Sequence, residues 1–252
     1  MTRLSATALA PLALTMCLAA PALAFDPAAM TDAERQAFRS EVRAFLLENP
    51  EVIMEAVAAL EESRMADAAA KDIEVLRANK DALENDANSW VGGNPEGDIT
   101  IVEFLDYRCG YCRKAWSEVE ELVKSDGNIR FIVKEFPILG EQSMLASRFA
   151  IAVRMVAGDD AYKSVHDALI NQRGDTTPES LERIASDMGL DAKAVMAKMD
   201  AAEVTAIIDA NHQLGSTLEI NGTPSFVIGE TMVRGYVPLD GMRQIVEGVR
   251  AE

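Results

Sequence analysis

Cysteine and histidine are scarce in this 252-residue chain: Cys17, Cys109, Cys112, His166 and His212 are all there is of either. A structural zinc site wants four ligands, commonly from a second Cys-x-x-Cys or a histidine pair, and two separated histidines do not supply one. A framework of disulfide staples needs several spaced pairs, so that architecture is excluded as well. Basic residues are also few, 24 Lys and Arg against 41 Asp and Glu, for a formal charge of −17. Phosphate binding needs clustered positive charge, so nucleic acid is not an expected partner. Beyond the first two dozen residues no apolar run approaches the roughly 20 needed to cross a bilayer, and the remainder reads as soluble.

The exception lies at the start. Met1-Thr2-Arg3 leads into an uncharged, mostly apolar stretch from Leu4 to about Ala20, then Pro21-Ala22-Leu23-Ala24, a cleavage site of the A-x-A type. Residues 1–24 therefore read as a signal peptide cut after Ala24, with export to an oxidising compartment, the periplasm. Cys17 falls in the removed segment. Met16 precedes it where a lipoprotein signal wants a small residue, so acylation is not expected. The mature chain from Phe25 keeps only Cys109 and Cys112.

Those two form Cys109-Gly110-Tyr111-Cys112, placed where the apolar run Ile99-Thr100-Ile101-Val102-Glu103-Phe104-Leu105 gives way to a helical pattern. A helix N-terminus presents free backbone N–H groups and the positive end of the macrodipole, which stabilises a thiolate on the first cysteine. Zinc, an inert staple and thiol–disulfide exchange all use such a pair. Exchange is favoured, because the strand-to-helix context suits redox chemistry and no other ligands or staples are at hand.

Residues 88–98, rich in Gly, Asn and Pro, read as a linker between a helical N-terminal arm (25–87) and an α/β domain (99–252). In the arm, Thr31 and Glu34 have capping-box spacing, and Phe38, Val42, Phe45 and Leu46 share a face. Asn49 is expected to cap a second helix beginning at Pro50. Its stripe is Ile53, Val57 and Leu60, continued after a phase slip by Ala69, Ile73, Leu76 and Leu83. Such an arm either folds back on its own domain or packs against other copies of itself; the reading leans to oligomerisation through Val52–Leu60, with Met65–Ala87 as a linker helix. In the domain the order is strand 99–105, helix 109–124, strand 129–136, a helical stretch at about 141–218, a hairpin about Gly229-Glu230, and a last helix from Pro238 to Val249. The methionines of the helical stretch, Met144, Met155, Met188, Met196 and Met199, read as core.

Glu103, Cys109-x-x-Cys112, a helical insertion and Gly222-Thr223-Pro224-Ser225-Phe226, in that order, resemble a DsbA-type thioredoxin fold. Phe45-Leu46-Leu47-Glu48-Asn49-Pro50-Glu51-Val52-Ile53 is similar to the N-terminal segment of the suppressor-of-copper-sensitivity protein C (ScsC) family. The resemblance implies a thioredoxin fold with an inserted helical subdomain, Thr223-Pro224 as a cis-proline beside the dithiol, and Glu103 as a buried acid serving Cys112; Lys134, on the neighbouring strand, is expected to pair with Glu103. Cys109 is then the exposed nucleophile and Cys112 the resolving thiol. No cofactor is expected beyond a redox-active Cys109–Cys112 disulfide. Gly110-Tyr111 is also the dipeptide of DsbC isomerases, which turns the expectation toward isomerase or reductase. Several family members trimerise through the arm, and the partners implied are exported proteins with disulfides and a membrane thiol reductase of the ScsB type. A DsbA-type oxidase, a Cu(I) carrier binding through Cys109 and Cys112, and a peptide-binding chaperone are the alternatives. Tyr107, Arg108 and Tyr111 are expected to shape the substrate surface.

Overall fold

The computed structural model describes residues 29–251, so the signal peptide expected over 1–24 lies outside the described residues. The chain divides between Leu60 and Glu61 into two units. The first holds α1 (Asp32–Glu48) and the opening turns of α2 (Glu51–Ala78). The capping box closes as the sequence requires: Glu34 N–H donates to Thr31 Oγ1 at 3.3 Å, and Thr31 N–H to Glu34 Oε2 at 2.8 Å. Asn49 behaves differently from expectation. Its side-chain amide donates to Phe45 O at 2.9 Å, closing α1 rather than opening α2. The apolar stripe of this unit is exposed: Phe45 is 51% accessible, Ile53 50% and Leu60 50%.

The second unit is built on a five-stranded sheet, β1 (Trp90–Gly93), β2 (Ile99–Leu105), β3 (Ile129–Glu135), β4 (Ser225–Ile228) and β5 (Thr231–Arg234), in the order β1-β3-β2-β4-β5. β2 and β3 run parallel and every other pairing is antiparallel. A parallel pair needs a crossover, and α4 (Gly110–Asp126) supplies it. Gly127 ends that helix in the left-handed region, φ 73°, with its N–H on Val123 O at 3.1 Å. Gly229, φ 57°, turns the β4–β5 hairpin.

Both central strands are covered on both faces, which is why they read as nearly unbroken apolar runs. Strand alternation sends Ile101 and Leu105 of β2, with Phe131 and Val133 of β3, to one face, against Trp116, Val119 and Leu122 of α4 and against the helical insertion. That insertion comprises α5 (Glu141–Ala157), α6 (Asp159–Asn171), α7 (Pro178–Asp187), α8 (Ala192–Lys198) and α9 (Ala202–Thr217). The terminal α10 (Leu239–Ala251) packs on the same face through Met242 and Val246. Val102, Phe104, Ile132 and Val227 point the other way. They meet Leu214 of α9 and Leu218 just past its end, Leu76 of α2 and Leu83 of α3 (Lys80–Glu84).

Two expected boundaries move. Residues 88–98 are not simply a linker, because Trp90–Gly93 pairs with β3 as the edge strand and the Trp90 ring stacks on Tyr162 at 5.7 Å. The arm does not extend to residue 87 as a free helix either. Leu76 and Leu83 are 3% and 2% exposed beneath the sheet, and Asp72 makes a two-pronged ion pair with Arg234 of β5, at 2.7 and 2.8 Å. The sheet's second face needs a cover, and the end of α2 with α3 provides part of it. Among the methionines, Met199 is buried as expected, whereas Met155 and Met188 are exposed.

Candidate active site at the dithiol

Cys109 occupies the N-cap position of α4, φ −74°, ψ 120°, so the first helical N–H groups face its sulfur. Both cysteines are free thiols. The Thr223–Pro224 peptide bond at the start of β4 is cis, and Cys109 Sγ lies 3.1 Å from the Thr223 carbonyl, to which it donates when protonated. That loop lies against the sulfur, which leaves Cys109 8% exposed rather than open, while Cys112, a turn deeper, is 1% exposed.

Hydrogen bonding separates the two thiols electrostatically. A bond from the Cys112 thiol, aided by the Thr223 side chain and the backbone N–H groups of Cys112 and Tyr111, outweighs burial and pulls Cys109 down to about 5. Cys112 is pushed far up by burial, by its bond to Cys109 and by the charge of Glu103. Near neutral pH the first cysteine is a thiolate and the second holds its proton.

Glu103 projects from β2 to the face that carries α4 and is 1% exposed. Burial, then the nearby Cys109 charge, raises it to about 8. Its Oε2 accepts no hydrogen bond among the described residues. The expected Lys134 partner is elsewhere. Register pairs Glu103 with Val133 and Phe104 with Lys134, so the two side chains leave opposite faces of the sheet. Lys134 is buried rather than solvated, and its ammonium donates to Ala82 O and Asp86 Oδ2, both at 2.8 Å. Among the described residues, the acid under the dithiol therefore stands without a cation.

The loop before α4 is pinned by Asp106, whose side chain accepts from Arg108 N–H at 2.7 Å and from the N–H groups of Ile138 and Leu139 at 2.8 and 3.0 Å. Tyr107 does not face substrate as expected: it is 1% exposed, with its hydroxyl donating to Glu135 Oε1 at 2.7 Å. Arg108 reaches the insertion, donating to Gly174 O at 2.6 Å. Tyr111 is the outward member, 63% exposed and stacked on Tyr236 at 6.0 Å. Tyr236 in turn donates to Glu118 Oε1 at 2.7 Å and carries Lys114 Nζ 4.3 Å from its ring centre. Tyr236 and Glu135 escape a reading of the sequence, although Lys134-Glu135, two charges ending an apolar strand, is the kind of irregularity that marks a buried polar site. Among the described residues no group of three or more His, Cys, Asp or Glu side chains is placed to hold a metal, and no helix is long and apolar enough to cross a membrane.

A parallel βαβ unit with a dithiol at its helix start, facing a cis-proline loop and interrupted by a helical insertion, defines a thioredoxin-fold dithiol protein of DsbA type. Residues 100–247 match the DSBA-like thioredoxin domain, more than half of the chain, and the protein belongs to that family of thiol–disulfide oxidoreductases. Residues 34–66 match the copper resistance protein ScsC N-terminal domain, so the whole has the ScsC arrangement. A thioredoxin-like oxidoreductase from Silicibacter pomeroyi DSS-3 is similar at 43% identity and TM-score 0.65, over 69% of this chain and 99% of that one. ScsC of Proteus mirabilis, in a transitional conformation, is 28% identical at TM-score 0.66, over 88% of this chain and 99% of that one. Na(+)/H(+) antiporter NhaA 3 of Salinispora tropica is 27% identical over 160 residues, 62% of this chain, and the chain spans only 24% of that antiporter's length.

Proposed function

We propose that this protein is an exported, periplasmic thiol:disulfide oxidoreductase acting on protein disulfides, working chiefly as an isomerase or reductase. The observation that carries this reading is the Cys109 sulfur, stabilised as thiolate by four donors and set against the Thr223 carbonyl. The thiolate attacks one sulfur of a substrate disulfide. A Cys109–substrate disulfide forms, and the other substrate sulfur leaves as a thiolate. If a second substrate thiolate then attacks the substrate sulfur of that mixed disulfide, Cys109 is released and the substrate is isomerised with no net electron transfer. If Cys112 attacks Cys109 instead, the substrate leaves as a dithiol, two electrons have passed to it, and the protein holds a Cys109–Cys112 disulfide. Cys112 must lose its proton for that step, and Glu103 on the same face is the group to accept it once ionised, so the step is expected to quicken as pH rises toward 8, where the carboxylate form becomes the major one.

The exposed apolar seam of the first unit, with Phe45, Ile53, Val57 and Leu60, supports self-association, with a trimer as the assembly we favour. Several dithiols held together suit the shuffling of wrong bonds. A membrane thiol reductase of the ScsB type would return the pair to the dithiol state.

Refolding of a scrambled, disulfide-rich protein tests the reading. Wild type is expected to restore native bonds, Cys109→Ser to do nothing, and a chain lacking residues 29–60 to lose isomerase while gaining oxidase behaviour. Stoichiometric Cu(I) binding with no exchange by wild type would replace this reading with that of a metal carrier.

A further inference from the structure

A second buried acid lies on the same sheet face as Glu103. Glu135 ends β3 opposite Leu105 and is 3% exposed. Its side chain collects three hydroxyl hydrogens at 2.7 Å each: Tyr107 and Tyr162 donate to Oε1, and Ser147 to Oε2. Its backbone carbonyl accepts from Asn211 of α9 at 3.0 Å. Burial raises its titration to about 7, against the three hydroxyl donors that pull it back and with the Asp106 charge adding to the rise. His166 of α6 completes the cluster, with Nδ1 2.9 Å from the Tyr107 hydroxyl. Tyr107 has one hydroxyl hydrogen, and Glu135 takes it, so His166 donates from Nδ1. Burial holds that imidazole neutral, down at about 3.

Such a network is expensive to bury, and the dithiol chemistry described above does not use it. What distinguishes it is where it leads. Tyr107 sits two residues before the nucleophile, and its carbonyl accepts from Arg113 Nε in the first turn of α4 at 3.1 Å. Ser147 and Tyr162 belong to the insertion. Tyr107 is thus held at both ends, at the hydroxyl by Glu135 and at the carbonyl by Arg113, the residue that directly follows Tyr111 and Cys112, whose N–H groups meet the Cys109 sulfur.

We propose that Glu135 is a positioning residue for thiol–disulfide exchange: through Tyr107 it fixes the loop that aims the helix-start donors at Cys109, and through Ser147 and Tyr162 it ties that loop to the helical insertion. The proposal rests on the dithiol reading above. Loosening Tyr107 misaligns donors that favour the thiolate, so the Cys109 titration moves up and less nucleophile is present at acidic pH.

The test uses full-length reduced protein with Glu135→Gln, Tyr107→Phe and Ser147→Ala. Glu135→Gln keeps the size but turns one acceptor into a donor, so at least one hydroxyl loses its partner. Thiolate absorbance at 240 nm gives the Cys109 titration, and reaction with 5,5′-dithiobis(2-nitrobenzoate) gives the pH–rate profile. For Glu135→Gln and Tyr107→Phe the rate near pH 5 is expected to fall about three- to tenfold, with convergence on wild type at pH 8 and a matching upward shift of the 240 nm midpoint. Ser147→Ala, which leaves Tyr107 bonded, is expected to move both less. If Glu135→Gln does not fold, Tyr107→Phe carries the test, since the carboxylate there keeps two hydroxyl donors. Folded variants with unchanged titration and profile, and only a lower melting temperature, overturn the positioning role. Wild type that fails to react with the disulfide at all overturns the dithiol reading instead.

Discussion

Cys109 and Glu103 are acids pushed in opposite directions by one small region, and each leaves a separate mark on pH dependence. For Cys109 the folded value, about 5, lies below its ordinary 9. The stabilisation this confers on the reduced protein is fully present above pH 9 and is lost as pH falls through 5. Absorbance at 240 nm is expected to titrate near pH 5 in wild type and to vanish in Cys109→Ser. Glu103 has the opposite sign. Its folded value, about 8, lies above the ordinary 4.5, so between those limits the unfolded chain gives up a proton that the native protein keeps, and stability falls as pH rises. Glu103→Gln removes that cost. It is expected to gain roughly 2–5 kcal/mol in urea denaturation at pH 8 and almost nothing at pH 4, while slowing release of substrate from the Cys109 mixed disulfide. No gain at pH 8 would mean that Glu103 is ionised there without penalty. At this scale Cys109, Cys112 and Glu103 were legible, because a dithiol spacing and a lone charge in an apolar strand are local signals. Lys134 was misread, because its partner Asp86 is contributed by a turn that the sequence does not mark.

Among the elements, α4 was the most legible. Its apolar spacing puts Trp116, Val119, Leu122 and Val123 inward; the first three are buried and Val123 is half-buried. β1 was not legible, for Trp90-Val91-Gly92-Gly93 is too short to show a period and becomes a strand only because β3 offers it an edge. The end of α2 with α3 is the sharpest difference. A stripe thin in large apolar residues looked like a linker, yet its two leucines, Leu76 and Leu83, are just those that close the sheet's second face. Leu83→Ala is therefore expected to cost the domain about 2–4 kcal/mol in urea unfolding. A change below about 0.5 kcal/mol, the range of surface substitutions, would return this segment to the arm.

At the scale of the molecule, the division between Leu60 and Glu61 makes truncation decisive. Removal of residues 29–60 is expected to leave the melting temperature of the remaining domain close to that of the full chain, while light scattering is expected to report loss of the proposed self-association. Removal through residue 87 takes away Leu76 and Leu83 as well and is expected to lower melting by several degrees. Equal melting of the two truncations would contradict the packing of α2 and α3 under the sheet. The sequence alone determined the dithiol, its place at a helix start, the α/β order of the domain and the helical insertion, since each is written in spacing or periodicity over a few residues. Only the tertiary structure decided that Glu103 stands without a cation among the described residues, that Tyr107 is anchored to a second buried acid, and that the domain begins well before residue 88. Those facts rest on which face of the sheet a side chain leaves and on what distant segment covers that face, and neither is set by neighbours along the chain.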